Sequence, residues 1–227
     1  MLKLLKKRPY WYVLVLQVFL FFLTPFGRER PFLFFLFVLG LFGILGTVVL
    51  TVWKARLPRV LAVSSAVVAI VTGLMAFPSL QFDEPVVLYL VVCCVAYASF
   101  ILIAAVSIGV DVLFRERVTV DSILGSICAY LFLGMFFAFV FGVITILLPG
   151  SFHYAIEGAG AGPIKLSDLL YFSYSTLTTT GYGDILPTHP FVRTIAMTES
   201  IVGTLYIAIM ITRLIGLHVA DRDPARP

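Results

Sequence analysis

The chain contains stretches of about 20 consecutive apolar residues, and this feature constrains its fold more than any other. A helix that crosses the roughly 30 Å hydrocarbon core of a bilayer needs about 20 apolar residues. Six such stretches are bounded by charged residues, prolines or glycines: 10–26, 32–53, 60–79, 86–110, 123–148 and 191–217. With 61% apolar and 12% charged residues, the chain has more apolar side chains than a water-soluble domain of this length buries. The sequence therefore predicts an all-α membrane protein with six transmembrane helices.

The first apolar stretch is the shortest, and it ends at Thr24 and Pro25. A membrane span, a re-entrant hairpin and a signal peptide all fit its length. Bulky residues at 19–23, rather than the small residues of a cleavage site, follow its basic start. We therefore interpret it as a retained span, in which Gln17 makes a hydrogen bond to a neighbouring helix.

The distribution of lysine and arginine indicates the orientation in the membrane. Six spans place both termini on one side, and a cytoplasmic N-terminus puts twelve basic residues inside and four outside. Those inside are Lys3, Lys6, Lys7, Arg8, Lys54, Arg56, Arg59, Arg115, Arg117, Arg213, Arg222 and Arg226; those outside are Arg28, Arg30, Lys165 and Arg193. We expect a multi-pass protein of the cell membrane with cytoplasmic termini. Its net charge of +4 then reflects contact with anionic lipid rather than with nucleic acid.

The long polar interval 149–190 separates the fifth and sixth stretches. Its glycine-rich opening predicts a flexible extracellular loop. Residues 166–177 then predict a short helix, with Ser167 as its N-cap and an acidic residue in its first turn. This helix is too short to span a bilayer. Irregular backbone that follows it at membrane depth is tolerated only where it is buried in protein or lines a water-filled path.

Residues 178–184, with the sequence Thr-Thr-Thr-Gly-Tyr-Gly-Asp, follow that helix and are called the filter segment below. Their composition suits the replacement of a cation's water by backbone carbonyl groups. A strand that turns successive carbonyls inward alternates between right- and left-handed backbone angles, and Gly181 and Gly183 allow the positive φ. Tyr182 would brace the strand against the short helix, and the Thr179 hydroxyl would add one oxygen. The C-terminal end of the helix, aimed at the pore, would stabilise a cation there.

With these residues identified, the segment 123–217 resembles the pore domain of potassium channels. The family motif Thr-Val-Gly-Tyr-Gly-Asp is matched at Thr179 and at residues 181–184, whereas Thr180 replaces the usual valine or isoleucine. The resemblance implies K⁺ as the permeant ion, bound at Thr179, Thr180, Gly181 and Tyr182, with Gly183 completing the ion-binding segment. No other cofactor is expected. One motif per chain, where a closed carbonyl ring needs four, predicts a homotetramer.

Residues around the filter segment are expected to support it: Thr178, Asp184, Tyr171, Phe172 and Glu199. The Thr180 hydroxyl places a polar group behind the segment. Tyr171 and Phe172 stand where many potassium channels have tryptophan. Because Phe172 donates no hydrogen bond, we expect the family's brace on the motif aspartate to be absent at Asp184.

Glu199 lies about two turns into the sixth span, and an ionisable group there is a functional candidate. We expect it to accept a hydrogen bond from Ser175 or Thr178. The alternative is a hydrated residue, or one paired with Arg193.

The sixth span also carries the candidate gate. Gly203 follows Gly183 by 20 residues, the spacing of the flexible glycine on the inner helix of potassium channels. Thr204, Ile207, Ile211 and Ile215 form one stripe that would line the cavity and close it by dewetting. The alternative is that this stripe packs on the fifth helix.

The predicted organisation is a peripheral four-helix bundle at 1–118, a pore domain at 119–217 and a short cytoplasmic tail at 218–227. The segment 110–121, charged and apolar by turns, is either an interfacial helix or a plain connector. No lysine or arginine occurs from 60 to 114. Voltage sensing needs several charges, so we expect a channel that is not voltage-gated. Regulation by a cytoplasmic domain would require a separate subunit.

Three alternatives to a potassium channel remain. The first is a non-selective cation channel, which would differ through Thr180. The second is a secondary potassium transporter, although such proteins carry four pore repeats in one chain. The third is a non-conducting partner subunit of another channel. The sequence has no catalytic cluster or phosphate-binding loop, so we do not expect an enzyme.

Overall fold

A computed structural model describes residues 9–23, 67, 87–115, 119–155 and 164–222. Seven helices and strands lie within these ranges: α1 (Pro9–Leu23), α2 (Val87–Leu113), α3 (Val120–Leu147), β1 (Phe152–Tyr154), α4 (Leu166–Leu177), β2 (Ile185–Pro187) and α5 (Pro190–Arg222). The described part of the chain is therefore mostly helical.

Three of the described helices are long and apolar enough to cross a membrane: Val87–Leu113, Val120–Leu147 and Pro190–Arg213. They coincide with the fourth, fifth and sixth predicted spans. Helix α1 has only 15 residues, so a full crossing by the first span stays a prediction. The predicted span 32–53 lies outside the described residues, as does the span 60–79 apart from residue 67.

The chain divides into two compact units. The first comprises Met1–Arg59, Ile103–Phe132 and Leu205–Pro227, and the second comprises Val60–Leu102 and Leu133–Thr204. The filter segment belongs to the second unit.

In the first unit, one face of α1 is buried. Tyr10, Val13, Gln17 and Leu20 are each less than 5% exposed, and their spacing of three and four residues marks one side of a helix. The Gln17 amide donates to the carbonyl of Cys128 on α3 at 3.3 Å. The predicted interhelical hydrogen bond of Gln17 is therefore confirmed.

A charged cluster joins α1, α2 and α3 in the same unit. Arg115 bonds Asp111 at 2.7 Å and Asp121 at 3.2 Å, and its guanidinium lies 5.4 Å from the centre of the Tyr10 ring. The Tyr10 hydroxyl donates to Asp111 at 2.8 Å. Residues 110–113 are the end of α2 and residues 120–121 are the start of α3, so the described residues of the segment 110–121 form no separate helix.

Three aromatic rings form the centre of the second unit. Phe141 of α3, Phe152 of β1 and Phe172 of α4 contact one another edge to face, with centroids 5.1 to 5.6 Å apart. The surrounding core consists of Phe137, Ile144, Leu169, Ile185, Val192 and Ala196. This packing holds α4 against α3 and β1.

Two short strands flank α4 and the filter segment. β1 and β2 are antiparallel, with Phe152 opposite Pro187 and Tyr154 opposite Ile185. The prediction of a flexible loop is therefore wrong at 152–154, while residues 156–163 lie outside the described part. Strands of three residues leave too little periodicity in a sequence to be recognised.

Two glycines let α4 approach its neighbouring helices closely. A Cβ atom on Gly134 of α3 would lie 2.6 Å from the Tyr174 ring, and one on Gly203 of α5 would lie 2.6 Å from the Leu177 carbonyl oxygen. At both positions, the absence of a side chain lets α4 pack against the helix. Gly203 is therefore required by close contact, whether or not it acts as a hinge.

Replacement of Gly203 tests this packing. Gly203→Ala should destabilise the protein by about 1–3 kcal/mol, the usual cost of overpacking, because the Leu177 carbonyl is backbone and must shift. Gly216→Ala on the same helix is the matched control, since a Cβ there meets nothing within 4 Å. Thermal unfolding of the purified protein measures both variants. Equal melting temperatures for the two would contradict the close approach.

Candidate functional site

Helix α4 leads into the filter segment, and its own start is fixed by Asp168. The Asp168 carboxylate accepts hydrogen bonds from the backbone N–H of Lys165 at 3.0 Å and from the Tyr154 hydroxyl at 2.6 Å. Lys165 therefore occupies the N-cap position. The prediction of Ser167 as N-cap is wrong, because the helix begins earlier and its N-cap lies two residues before Ser167, where the Asp168 carboxylate accepts the backbone N–H.

The filter segment folds back on the last turn of α4. The N–H groups of Thr180 and Gly181 both donate to the carbonyl of Ser175, at 2.9 and 3.1 Å. The N–H of Tyr182 donates to the Ser175 hydroxyl at 3.3 Å. Three successive N–H groups thus point to the same side, towards one residue of α4.

The backbone achieves this by changing handedness at every second residue. Positive φ angles occur at Thr179 (58°), Gly181 (58°) and Gly183 (78°). The predicted positive φ at the two glycines is confirmed. The positive φ of Thr179 was not predicted, because a β-branched residue disfavours this region and nothing in its side chain indicates a positive φ. Such strain costs about 1–3 kcal/mol and concentrates at functional sites.

The orientation of the carbonyl groups follows from these hydrogen bonds. In a trans peptide the C=O of one residue points opposite to the N–H of the next, and the described part of the chain has no cis peptide bond. The carbonyls of Thr179, Thr180 and Gly181 therefore all point away from α4. In an extended strand such groups would alternate, so the segment presents an unusual row of oxygens on one side. Within the described residues, no hydrogen bond to these oxygens is found.

The Thr180 hydroxyl is engaged behind the filter segment. It lies 2.8 Å from the Thr178 hydroxyl, and the Thr178 hydroxyl donates its proton to the carbonyl of Tyr174 at 2.7 Å. Thr180 is therefore the donor to Thr178. This pair turns the polar group at Thr180 away from the row of carbonyls.

Tyr171 is the side chain of α4 that lies beside Tyr182 and Asp184. The Tyr171 ring stacks on the Tyr182 ring, with centroids 5.8 Å apart and planes 10° apart. Partial desolvation and the neighbouring Asp184 carboxylate raise the pKa of Tyr171 to about 12. Tyr171 keeps its proton below that pH, which makes it a candidate donor to Asp184. The expectation that the family's brace is absent at Asp184 stays a prediction.

Phe172 has a different surrounding. It is buried in the aromatic cluster with Phe141 and Phe152 and anchors α4 there. The far end of the filter segment is fixed by the carbonyl of Asp184, which accepts the N–H of Ala155 at 2.8 Å.

Glu199 lies inside the second unit and is 0% exposed. Its carboxyl group contacts the hydroxyl of Ser173, rather than Ser175 or Thr178 as expected. The two serines lie on opposite sides of α4, since each residue advances a helix by about 100°. The alternatives are also wrong. Glu199 is not hydrated, because it is buried, and it is not paired with Arg193, which donates to the carbonyl of Pro187 at 2.9 Å.

The candidate gate residues share one property in the single chain. Thr204, Ile207, Ile211 and Ile215 are all exposed. These side chains are therefore not buried against the fifth helix in the single chain, as the alternative would require. Their role in a cavity stays a prediction.

Residues 127–218 match the family model described as "Ion channel". The match covers roughly two-fifths of the chain and contains most of α3, all of α4, the filter segment and most of α5. Neither a curated protein nor a solved structure matches the chain. This part of the membrane protein is therefore similar to an ion channel domain.

Removal of the Tyr171 hydroxyl tests whether this group acts as a brace on Asp184. Tyr171→Phe should lower the stability of the purified protein by about 1 kcal/mol, the usual contribution of one hydrogen bond. Tyr12→Phe is the matched control, because Tyr12 is 39% exposed on α1 and has no hydrogen bond among the described residues. Thermal unfolding in KCl measures both. A loss at Tyr12 as large as that at Tyr171 would contradict the brace.

Proposed function

We propose that the chain is one of four identical subunits of a potassium-selective channel that conducts K⁺ passively across the membrane. The observation that carries this proposal is the row of carbonyl oxygens at Thr179, Thr180 and Gly181, which point to one side and accept no hydrogen bond within the described residues. Carbonyl oxygens in such a row can bind only water or a cation. Inside an ion channel domain, the cation that they bind is the permeant ion.

Neutral carbonyl groups fit a monovalent ion that must bind and leave quickly. They replace the hydration shell of K⁺ without the strong charge of a carboxylate. In the proposal, the carbonyls of Thr179, Thr180, Gly181 and Tyr182 bind K⁺, and Gly183 supplies the last left-handed turn. The nearby Asp184 carboxylate, which raises the pKa of Tyr171, serves as support.

A fourfold assembly follows from the one-sided geometry. One strand offers oxygens from a single direction, whereas a dehydrated ion needs them all around it. In the single chain Tyr182 is 69% exposed. Beside it lies an open cavity of about 380 Å³, lined by residues that include Tyr171, Gly181, Asp184 and Met197. A second copy packed here would cover Tyr182 and the cavity, and four copies would close the ring.

The remaining parts of the proposal concern the gate and the membrane. The exposed stripe of Thr204, Ile207, Ile211 and Ile215 would line the cavity below the filter, with Gly203 at its start. The segment 1–118 would form the peripheral bundle, and both termini would be cytoplasmic in the cell membrane.

Replacement of Gly181 tests the filter directly. Alanine at φ 58° is strained by roughly 1–2 kcal/mol and would turn the carbonyl row. Gly181→Ala should therefore lower K⁺ flux into liposomes by at least about tenfold, the effect of some 1.4 kcal/mol on a barrier. Gly150→Ala is the matched control, because Gly150 has φ 81° in open space outside the filter segment.

Reversal potentials in K⁺ against Na⁺ decide between the proposal and its alternatives. A strong preference for K⁺ that Gly181→Ala abolishes supports the filter. Equal permeation of both ions would indicate a non-selective cation channel. The absence of flux from the purified chain, with the assembly intact, would indicate a non-conducting partner subunit.

The absence of basic residues predicts weak voltage dependence. Helix α2 carries no lysine or arginine, and each gating charge contributes only about 2.3 kcal/mol per 100 mV. The open probability of single channels in planar bilayers should therefore change little between −100 and +100 mV. Recordings in symmetric KCl without divalent ions check this. A steep, sigmoidal conductance curve under those conditions would contradict it.

A further inference from the structure

A chain of three polar groups connects α3, α4 and α5 behind the filter segment. The Ser173 hydroxyl oxygen lies 2.7 Å from the carbonyl oxygen of Gly134 on α3. The same hydroxyl oxygen is in hydrogen-bond contact with Oε1 of Glu199 on α5. Ser173 and Glu199 are both 0% exposed even in the single chain, so solvent reaches neither group.

The number of protons available decides how these contacts are made. A serine hydroxyl has one proton and a carbonyl has none. If the Ser173 hydroxyl donates its hydrogen bond to Glu199, its oxygen and that of Gly134 face each other at 2.7 Å without a proton between them. If the Ser173 hydroxyl donates to Gly134, the contact with Glu199 is a hydrogen bond only when the carboxyl group carries a proton and donates it. Both contacts are hydrogen bonds only in the second arrangement.

We infer that Glu199 is held as a neutral carboxylic acid that donates to Ser173, which in turn donates to the Gly134 carbonyl. Glu199 is then a positioning residue: it sets the direction of the Ser173 hydroxyl and thereby ties α4 to α3 and α5 at once. The protonation state stands on the contacts alone, whereas its effect on permeation rests on the proposed function.

The second carboxyl oxygen supports the neutral form. Oε2 of Glu199 is buried and has no hydrogen-bond partner among the described residues. In a neutral acid this atom is a carbonyl oxygen, which is costly to leave unpaired but far less so than a charged oxygen.

Among the described residues, no cation faces Glu199. The titratable side chain that faces it is Tyr174 of α4, which gains no positive charge. The described α3 residues of the second unit, 133–147, contain no charged side chain. On α5 the nearest basic residue, Arg193, is bonded to Pro187. An ionised Glu199 would therefore be a buried charge without a counterion among these residues.

Loss of the Glu199 proton would reverse the direction of the hydrogen bond between Glu199 and Ser173. An ionised Glu199 accepts a hydrogen bond from the Ser173 hydroxyl and leaves the Gly134 carbonyl without its donor. The link between α4 and α3 is then lost, while the link between α4 and α5 remains. The attachment of α4, which leads into the filter segment, to α3 therefore depends on the proton of Glu199.

Infrared spectroscopy of the full-length protein in lipid tests the inference without ion flux. The difference between the wild type and Glu199→Gln at pH 7 should contain the C=O stretch of a protonated carboxylic acid. Asp168→Asn is the control, because Asp168 is half-buried in the first turn of α4 and accepts two hydrogen bonds; its replacement should leave that band in place. A difference spectrum with only carboxylate bands would overturn the inference.

Thermal unfolding of three variants provides the second measurement. Glu199→Gln keeps a neutral donor and should melt close to the wild type. Glu199→Ala and Ser173→Ala remove the donor or its acceptor and should both melt several degrees lower. If Glu199→Gln melts as low as Glu199→Ala, a neutral donor is not what the site needs and the inference fails.

Flux measurements separate this inference from the proposed function. In liposomes Glu199→Gln should conduct K⁺ within about twofold of the wild type, whereas Ser173→Ala should conduct at least about tenfold less, equivalent to roughly 1.4 kcal/mol. If the wild type itself does not conduct, the proposed function fails, while the infrared band still decides the protonation of Glu199.

Discussion

The backbone hydrogen bonds from the filter segment to Ser175 are the interaction on which the site depends. The N–H groups of Thr180 and Gly181 share the Ser175 carbonyl, and the N–H of Tyr182 takes its hydroxyl. Because trans peptides set C=O opposite to N–H, these bonds fix the carbonyl groups on the other side. The last turn of α4 is capped by the same contacts, since its carbonyls would otherwise lack donors. One set of hydrogen bonds thus completes the helix and orders the oxygens.

The position of α4 is in turn set by contacts that leave little freedom. The aromatic cluster of Phe141, Phe152 and Phe172 holds one side. On other sides, Gly134 and Gly203 allow the Tyr174 ring and the Leu177 carbonyl to come within a distance that a methyl group would block. Close packing by small residues and edge-to-face aromatic contacts are effective in a membrane, where burial of apolar surface between helices gives little stabilisation. The short helix is therefore fixed by shape more than by hydrophobicity.

The features that depend on composition and on the local backbone could be predicted from the sequence. The side-chain contacts that depend on how a helix is rotated about its axis could not. Three spans, the bounds of α4 and the positive φ of Gly181 and Gly183 follow from apolar length and from glycine. The partner of Glu199 was wrong because Ser173 and Ser175 lie on opposite sides of α4, and no local signal tells which side faces α5. Strands of three residues and the φ of Thr179 have no local pattern at all.

The strain at Thr179 persists because both ends of the filter segment are anchored. Such a conformation survives only where the surroundings determine it. The segment begins at the last turn of α4 and ends where the Asp184 carbonyl accepts the N–H of Ala155 beside the paired strands. An extended strand would be longer than the alternating one, so relaxation would push β2 away from β1 or α4 out of its aromatic contacts. The direction of the carbonyl at residue 180 is then set by the backbone on either side of it, and its side chain is free to be threonine, whose hydroxyl turns back to Thr178.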